Sequence, residues 1–396
     1  MPSHSKGKGW LIACCLCMLP FLLSGCWDKL EINNWAFVQA ASVDLSKDGR
    51  LRLTSQIYKP GSTEASSMSP STGATFFNIS SENATVYGAS LTAGNETGRK
   101  LQWSHMETLI ISEAFARNRN IGEVLDFFSR SNEPKSTLAI VIAKGDARSH
   151  LDVKPLVENN VGTQLASSIQ NAQMLTGMSL SVSLRELSIL AKQREATFVL
   201  PYLPFTGAGT IPHTPTLALF RFPEGKLVDV VPVSKTPLLL MLMNRYRNGF
   251  VNIPCGEDKN NGQGSEAFKI GSLRSTIKPR LINDQLTVHI GVEISGSVKE
   301  LVCTSIATQG DVSSFTDKIA GKLEKQLAST AAYLQEQEAD VIGVGEHLHR
   351  WHNGQWKTLR QNWRERFKQA KFEIKVHVRL TNTGIDAGQP FTANEP

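Results

Sequence analysis

The stretch KFEIKVHVRL, residues 371–380, decides the fold. Phe372, Ile374, Val376, Val378 and Leu380 alternate with Lys371, Glu373, Lys375, His377 and Arg379. A period of two puts the two sets on opposite faces of a pleated strand, one dry and one wet. Leu286, Val288, Ile290, Val292 and Ile294 repeat the pattern upstream. Between the two strands, Ser313 to Ala339 reads as a long helix, with Phe315, Ile319, Leu323, Leu327 and Leu334 near one face. That stripe thins around Ser329 to Ala332, which suits a helix packed on a sheet better than a coiled coil. Trp356, Leu359, Trp363 and Phe367 read as a second, shorter amphipathic helix.

Working outward, Leu217 to Phe222 and Leu227 to Val233 read as strands joined by a Pro223-Glu224-Gly225 turn. Cys255 to Gly264 is a polar loop. Pro201, Pro204, Pro212 and Pro215 punctuate a stretch taken as a domain boundary. Before it, Leu138 to Ala143 (LAIVIA) is a continuous apolar run, the mark of a strand covered on both faces. Helical segments follow it to about Gln193. Val43 to Tyr58 reads as a hairpin turning at Lys47-Asp48-Gly49, and Gly61 to Gly73 as a polar loop. A helix is expected from about Glu82 to Ala93, then a strand from His105 to Ser112. Helices are expected from Glu113 and over Ile121 to Phe128. The expected class is α+β: a multi-domain mixed α/β lipoprotein with largely antiparallel sheets and a long C-terminal helix packed on a sheet. The expected division is a signal peptide (1–25), an N-terminal α+β region (26–200) with room for two subdomains, a linker (201–215), a C-terminal α+β domain (216–385) and a flexible tail (386–396).

The N-terminus carries the firmest functional signal. Lys6 and Lys8 precede a 14-residue apolar run from Trp10 to Leu23, too short to cross a hydrocarbon core about 30 Å thick. Leu23-Ser24-Gly25-Cys26 fits a bacterial lipobox, whose cysteine thiol takes a diacylglyceryl group before the peptidase cuts ahead of it. The expectation is an exported chain held on the extracytoplasmic face of a membrane by lipid on Cys26. No later apolar run approaches the length of a transmembrane helix. Two acyl chains anchor stably where one binds reversibly.

The formal charge of +6 includes Lys6 and Lys8, and the surplus is spread along the chain; it is no nucleic-acid footprint. Of six cysteines, Cys14, Cys15 and Cys17 leave with the signal and Cys26 takes lipid. Cys255 and Cys303 could pair outside the cytoplasm, or sit as two buried or idle thiols.

Catalytic patterns are sparse. GxSxG, HExxH and GxxxxGK[ST] are absent, and Gly343-Val344-Gly345 lacks the third glycine of a dinucleotide loop. Glu346-His347-Leu348-His349-Arg350-Trp351-His352 is the sharpest metal candidate: in an extended chain, His347 and His349 would share a face. The plainer reading is a helix-to-helix connection anchored by Trp351. Asp28, Glu31 and Asp44 are too scattered to nominate an acid–base pair, and His105 reads as a packing histidine. No catalytic residue, cofactor or metal is therefore expected. The tryptophans read as core, except Trp27 beside the lipid; an exposed pair in the C-terminal half would mark a docking surface.

At this point a resemblance emerges. Gly25-Cys26-Trp27-Asp28-Lys29-Leu30-Glu31-Ile32-Asn33 resembles the mature start of the Ger(x)C family, the lipoprotein C subunits of spore germinant receptors. Ser42-Val43-Asp44 with Leu51 to Tyr58 resembles the family's first hairpin, and Gly98-Arg99-Lys100-Leu101-Gln102-Trp103-Ser104-His105 its GRKLxxSH segment. Asp340 to Gly345, Trp363-Arg364-Glu365 and Phe372 to Gly384 resemble its C-terminal end. Val43 stands where the family usually has glycine, and Ile253 to Gly264 matches nothing in the pattern. The resemblance implies three mixed α/β domains without catalysis. It also implies a multi-spanning A subunit and a transporter-like B subunit as partners in the spore inner membrane. Lipidation at Cys26 is the one site that carries over. Two other readings compete: a lipid-anchored solute-binding protein with a cleft between lobes, and an envelope hydrolase using His347 and His349.

Overall fold

The computed structural model describes residue 10 and residues 31–59, 75–191, 196–204, 215–255 and 264–384. Cys26 and Trp27, the Gly61 to Gly73 loop, most of the 201–215 linker and the 386–396 tail lie outside the described residues.

The expected hairpin forms. β1 (Trp35–Leu45) and β2 (Leu51–Tyr58) pair antiparallel, Val43 opposite Leu53, around a turn in which Gly49 takes φ +79°. β3 (Phe76–Asn83) adds outside β2. The helix expected from Glu82 starts later, as α1 (Val86–Thr97), because β3 claims the chain through Asn83 and the Thr85 side chain caps the helix by accepting from Gly88 N–H.

On the other side of β1 the sheet turns parallel. β5 (Thr108–Ser112), β6 (Ala139–Ala143) and β7 (Thr197–Leu203) follow β1 in order, all parallel. Parallel neighbours need crossovers, supplied here by α2 (Glu113–Asn118) and α3 (Gly122–Arg130), then by α4 (Val161–Asn171) and α5 (Leu184–Leu190). The sheet is thus mixed at its centre, where the sequence suggested largely antiparallel pairing. The LAIVIA run behaves as its composition requires. Ile140 and Ile142 enter one apolar core, while Val141 and Ala143 enter a second under α4 with Leu165 and Ile169. Antiparallel β8 (Thr216–Arg221) and β9 (Lys226–Val230) extend the sheet beyond β7, and α6 (Thr236–Leu242) follows them. Pro201, placed at the start of the expected linker, lies inside β7.

The C-terminal sheet has the order β10 (Gly249–Pro254), β11 (Ser265–Ile282), β12 (Gln285–Glu300) and β13 (Lys371–Asn382). β13 joins β12 in parallel; the other pairs are antiparallel. Val288, Ile290, Val292 and Ile294 bury one face of β12 together with Ile319, Leu323 and Leu327 of α7 (Gln309–Glu336). That helix opens on a reciprocal cap between Thr308 and Asp311. It also blunts both sheet edges: Lys318 and Lys322 donate to the β10 carbonyls of Pro254 and Asn252, and Glu324 accepts from Val376 N–H at 3.0 Å.

The single amphipathic helix expected across Trp356 to Phe367 is broken. α9 (Asn353–Leu359) and α10 (Trp363–Lys368) follow α8 (Val344–Trp351), with a 3-10 turn (Arg360–Asn362) between α9 and α10. The break turns Trp363 and Phe367 into the core while leaving Trp356 edge-on to Trp363, with ring centroids 5.1 Å apart. Among the described residues no helix is long and apolar enough to cross a membrane.

Candidate functional site at the N-terminal end of the sheet

β1 begins nine residues after Cys26, so its N-terminal end lies within roughly 30 Å of chain from that cysteine. The signature segment Gly98 to His105 is folded against this same end. Gly98 closes α1 in the left-handed region at φ +66°, a conformation that a Cβ would strain. The chain then runs as β4 (Lys100–Gln102), parallel to the first three residues of β1, Trp35 to Phe37. Lys100 Nζ sits 4.8 Å from the Trp35 ring centre, and His105 meets the Phe37 ring edge-on at 5.2 Å. Gln102 Oε1 accepts from the Ser104 N–H and hydroxyl, at 2.9 and 2.6 Å. Leu101, Trp103 and Met106 are buried, and the Trp103 backbone N–H reaches Glu133 Oε2 at 3.2 Å. The segment therefore clips the start of β1 to the body of the protein. It does this by backbone pairing and packing, while His105 is an exposed ring lying edge-on to Phe37.

The other end of β1 carries Asp44, almost wholly buried. Its carboxylate accepts from the N–H groups of Ala147 (2.7 Å) and Arg148 (3.1 Å), in a 3-10 turn (Ala147–His150), with the Arg52 guanidinium 3.8 Å away. Burial, and secondarily the neighbouring Asp146 carboxylate, push the Asp44 pKa up to about 7 against the Ala147 N–H and the Arg52 charge. The Asp44–Asp146 neighbourhood was invisible in sequence, where the two stand a hundred residues apart. A raised folded-state pKa means that the native protein holds a proton the unfolded chain has lost above about pH 4. The stabilisation is full below that pH and disappears as pH rises through 7. Asp44→Asn is expected to flatten the difference in urea midpoint between pH 5 and pH 8. A variant whose midpoint tracks the parent's at both pH values would refute this. Comparison with the parent cancels His150, whose depressed pKa acts in the opposite direction.

At the C-terminal end, Asp340 organises Asp340 to Gly345. Its carboxylate accepts from Gly343, Val344 and Gly345 N–H at 3.0, 2.9 and 2.6 Å. The amides that a phosphate would need at this Gly-Val-Gly segment are thus satisfied from within. Gly345 has no room for a Cβ, which would come within 2.9 Å of the Trp363 ring. The histidine segment is helical, so His347 and His349, two residues apart at about 100° each, point to different sides. His347 instead stacks near His352, with ring centroids 6.2 Å apart. Among the described residues no three metal-ligating side chains cluster. Trp103 and Trp363 are buried, Trp356 is half-buried and Trp351 is exposed. The tryptophans thus divide between core and surface rather than forming one exposed pair.

Cys255 and Cys303 form a disulfide across a separation of 48 residues. In chain-entropy terms such a link restricts the unfolded chain by about 4 kcal/mol. It is a bond suited to an oxidising compartment.

Comparison with known proteins agrees with this architecture. Residues 28–204 match the family described as spore germination protein N-terminal domain, and residues 216–384 the spore germination B3/GerAC like, C-terminal family. Spore germination protein KC of Bacillus subtilis is 21% identical over 397 residues, covering 95% of this chain and 96% of that protein. Spore germination protein B3 of the same organism is 21% identical over 384 residues, covering 91% and 95%. The crystal structure of the GerBC protein superposes with a TM-score of 0.58 at 17% identity, covering 90% of this chain and all of that one. With both halves matched in order, the chain belongs to the Ger(x)C, or GerAC-like, family of spore germination proteins.

Proposed function

We propose that this chain is the lipid-anchored C subunit of a nutrient germinant receptor. It acts with a multi-spanning A subunit and a transporter-like B subunit, on the extracytoplasmic side of the spore inner membrane, to trigger germination. The observation that carries the reading is family membership over both halves of a chain that opens on a lipobox at Cys26. The arrangement around β1 supports a binding rather than a catalytic role, because the signature residues are spent on packing and backbone pairing. Tethering helps such a subunit by raising its effective concentration near membrane partners without any new contact. The two regions expected from the sequence are kept with one change: β7 carries the first to Leu203, and residues 204–215 join it to 216–385.

The test is genetic and biochemical together. Spores lacking this protein are expected to lose the response to at least one nutrient of a panel while retaining others. Mild detergent extraction is expected to recover it with multi-spanning partners. Normal germination on every nutrient, with the protein recovered alone, would reject the reading. Nutrient-dependent thermal stabilisation of the protein by itself would favour the solute-binding alternative instead.

A further inference from the structure

The outward face of the C-terminal sheet carries a concentration of charge that the linear sequence does not reveal. Register places Arg280, Thr287 and Lys371 in one cross-strand row, then Lys278, His289 and Glu373, and then Thr276, Gly291 and Lys375. Arg274, Glu293 and His377 follow, then Ser272, Ser295 and Arg379. Beyond a bulge come Lys269, Ser297 and Asn382. Four basic residues of β11 and three of β13 are exposed on this face, against Glu293 and the half-buried Glu373. Glu373 is paired with Lys371 at 2.7 Å and with His289 at 3.1 Å. The surplus of five positive charges is nearly the formal +6 of the whole chain. The opposite side of the same strands is apolar and packs on the core, buried along β12 and half-buried along most of β11 and β13.

We infer that this face docks on an anionic lipid bilayer. The inference rests on the proposed membrane tether, which would hold the chain beside such a surface. The face suits a bilayer better than an acidic protein partner. Its middle strand presents Gly291, Ser295 and Ser297, with no protruding anchor of the kind that dominates protein interfaces. Cations on β13 recur every fourth residue, about 13 Å apart, and Lys278 and Arg280 on β11 stand about 7 Å apart. Exposed Phe250, opposite Lys269, and exposed Ile282, beyond Arg280, stand at the two ends of the face, as apolar side chains that could enter a headgroup layer. Each lysine or arginine brought near an anionic surface strengthens association by about fivefold.

The test uses the full lipidated protein reconstituted into vesicles of phosphatidylcholine alone, or with about one-third phosphatidylglycerol. Lysine acetylation is read by mass spectrometry, with Lys47 in the β1–β2 turn as internal reference. Lys278, Lys371 and Lys375 are expected to react several-fold more slowly in the anionic vesicles. That protection should vanish near 0.5 M salt, where the screening length is about 4 Å, and at the remaining reporter Lys371 in the triple variant Lys278→Glu/Lys375→Glu/Arg379→Glu. Equal reactivity in both vesicles would overturn the inference. So would protection that appears only when membrane partner subunits are added, which would assign the face to a protein. Flotation separates this inference from the anchor. Flotation with both vesicles but unchanged reactivity sinks the face alone; flotation with anionic vesicles only sinks the anchor and keeps the face.

Discussion

Changing Cys26 to alanine is expected to release this protein almost completely from membranes washed at about 0.5 M salt, where exposed charges are screened, and to abolish its proposed contribution to germination. At about 0.8 kcal/mol for each buried methylene, losing the two acyl chains proposed for Cys26 removes roughly 20 kcal/mol of membrane affinity. A basic face contributing about 1 kcal/mol per cation would replace only part of that, and high salt would remove it. The fold is expected to survive. Cys26 lies ahead of β1, and β1 is paired with β2, β4 and β5. The checks are fractionation, a thermal unfolding midpoint within about a degree of the parent's, and germination on the responsive nutrient. Full membrane retention with normal germination would show that the lipid is dispensable. Loss of the folded protein itself would show instead that the leader region takes part in folding.

Trp103→Ala is expected to be the most damaging substitution among the signature residues. The side chain is 4% exposed and packs edge-to-face on Phe127 and Phe128, at centroid distances of 5.9 and 5.3 Å. Removing a buried indole costs about 3–5 kcal/mol, partly transfer energy and partly the cavity left behind. A domain typically has only about 5–15 kcal/mol in hand. The position makes matters worse, since Trp103 follows β4 directly and its loss frees the clip on Trp35 to Phe37. A fall in the unfolding midpoint of roughly 10 °C is expected, with faster proteolysis of the β4 segment. His105→Ala, which removes only an exposed ring from Phe37, should cost under about 1 kcal/mol. Equal effects from the two variants would mean that the segment acts through surface chemistry and not through packing.

The strands legible in sequence were those whose burial is regular. β12 and β13 alternate because one face is buried and the other wet, and β6 is uniformly apolar because two cores meet across it. The start of α1 was misplaced because β3 pairs with β2 through polar residues such as Ser80 and Asn83, which carry no apolar period. The break between α9 and α10 was hidden because Trp356 and Trp363, seven residues apart, fit a single helical face equally well.

Residues 23–26 and the family signatures were determined by the sequence alone, because recognition of a lipobox or a local motif depends on neighbours along the chain. So was the amphipathic character of each long strand. The parallel centre of the large sheet, the Asp44–Asp146 neighbourhood and the Cys255–Cys303 bond were decided only by tertiary structure. The same is true of the basic face. Seven cations spread over 111 residues of chain share one surface because β11, β12 and β13 pair in a register that turns each strand's polar set the same way. A slip of one residue in either ladder would turn one set inward. The alternation is a property of each strand, but the shared surface is a property of their pairing.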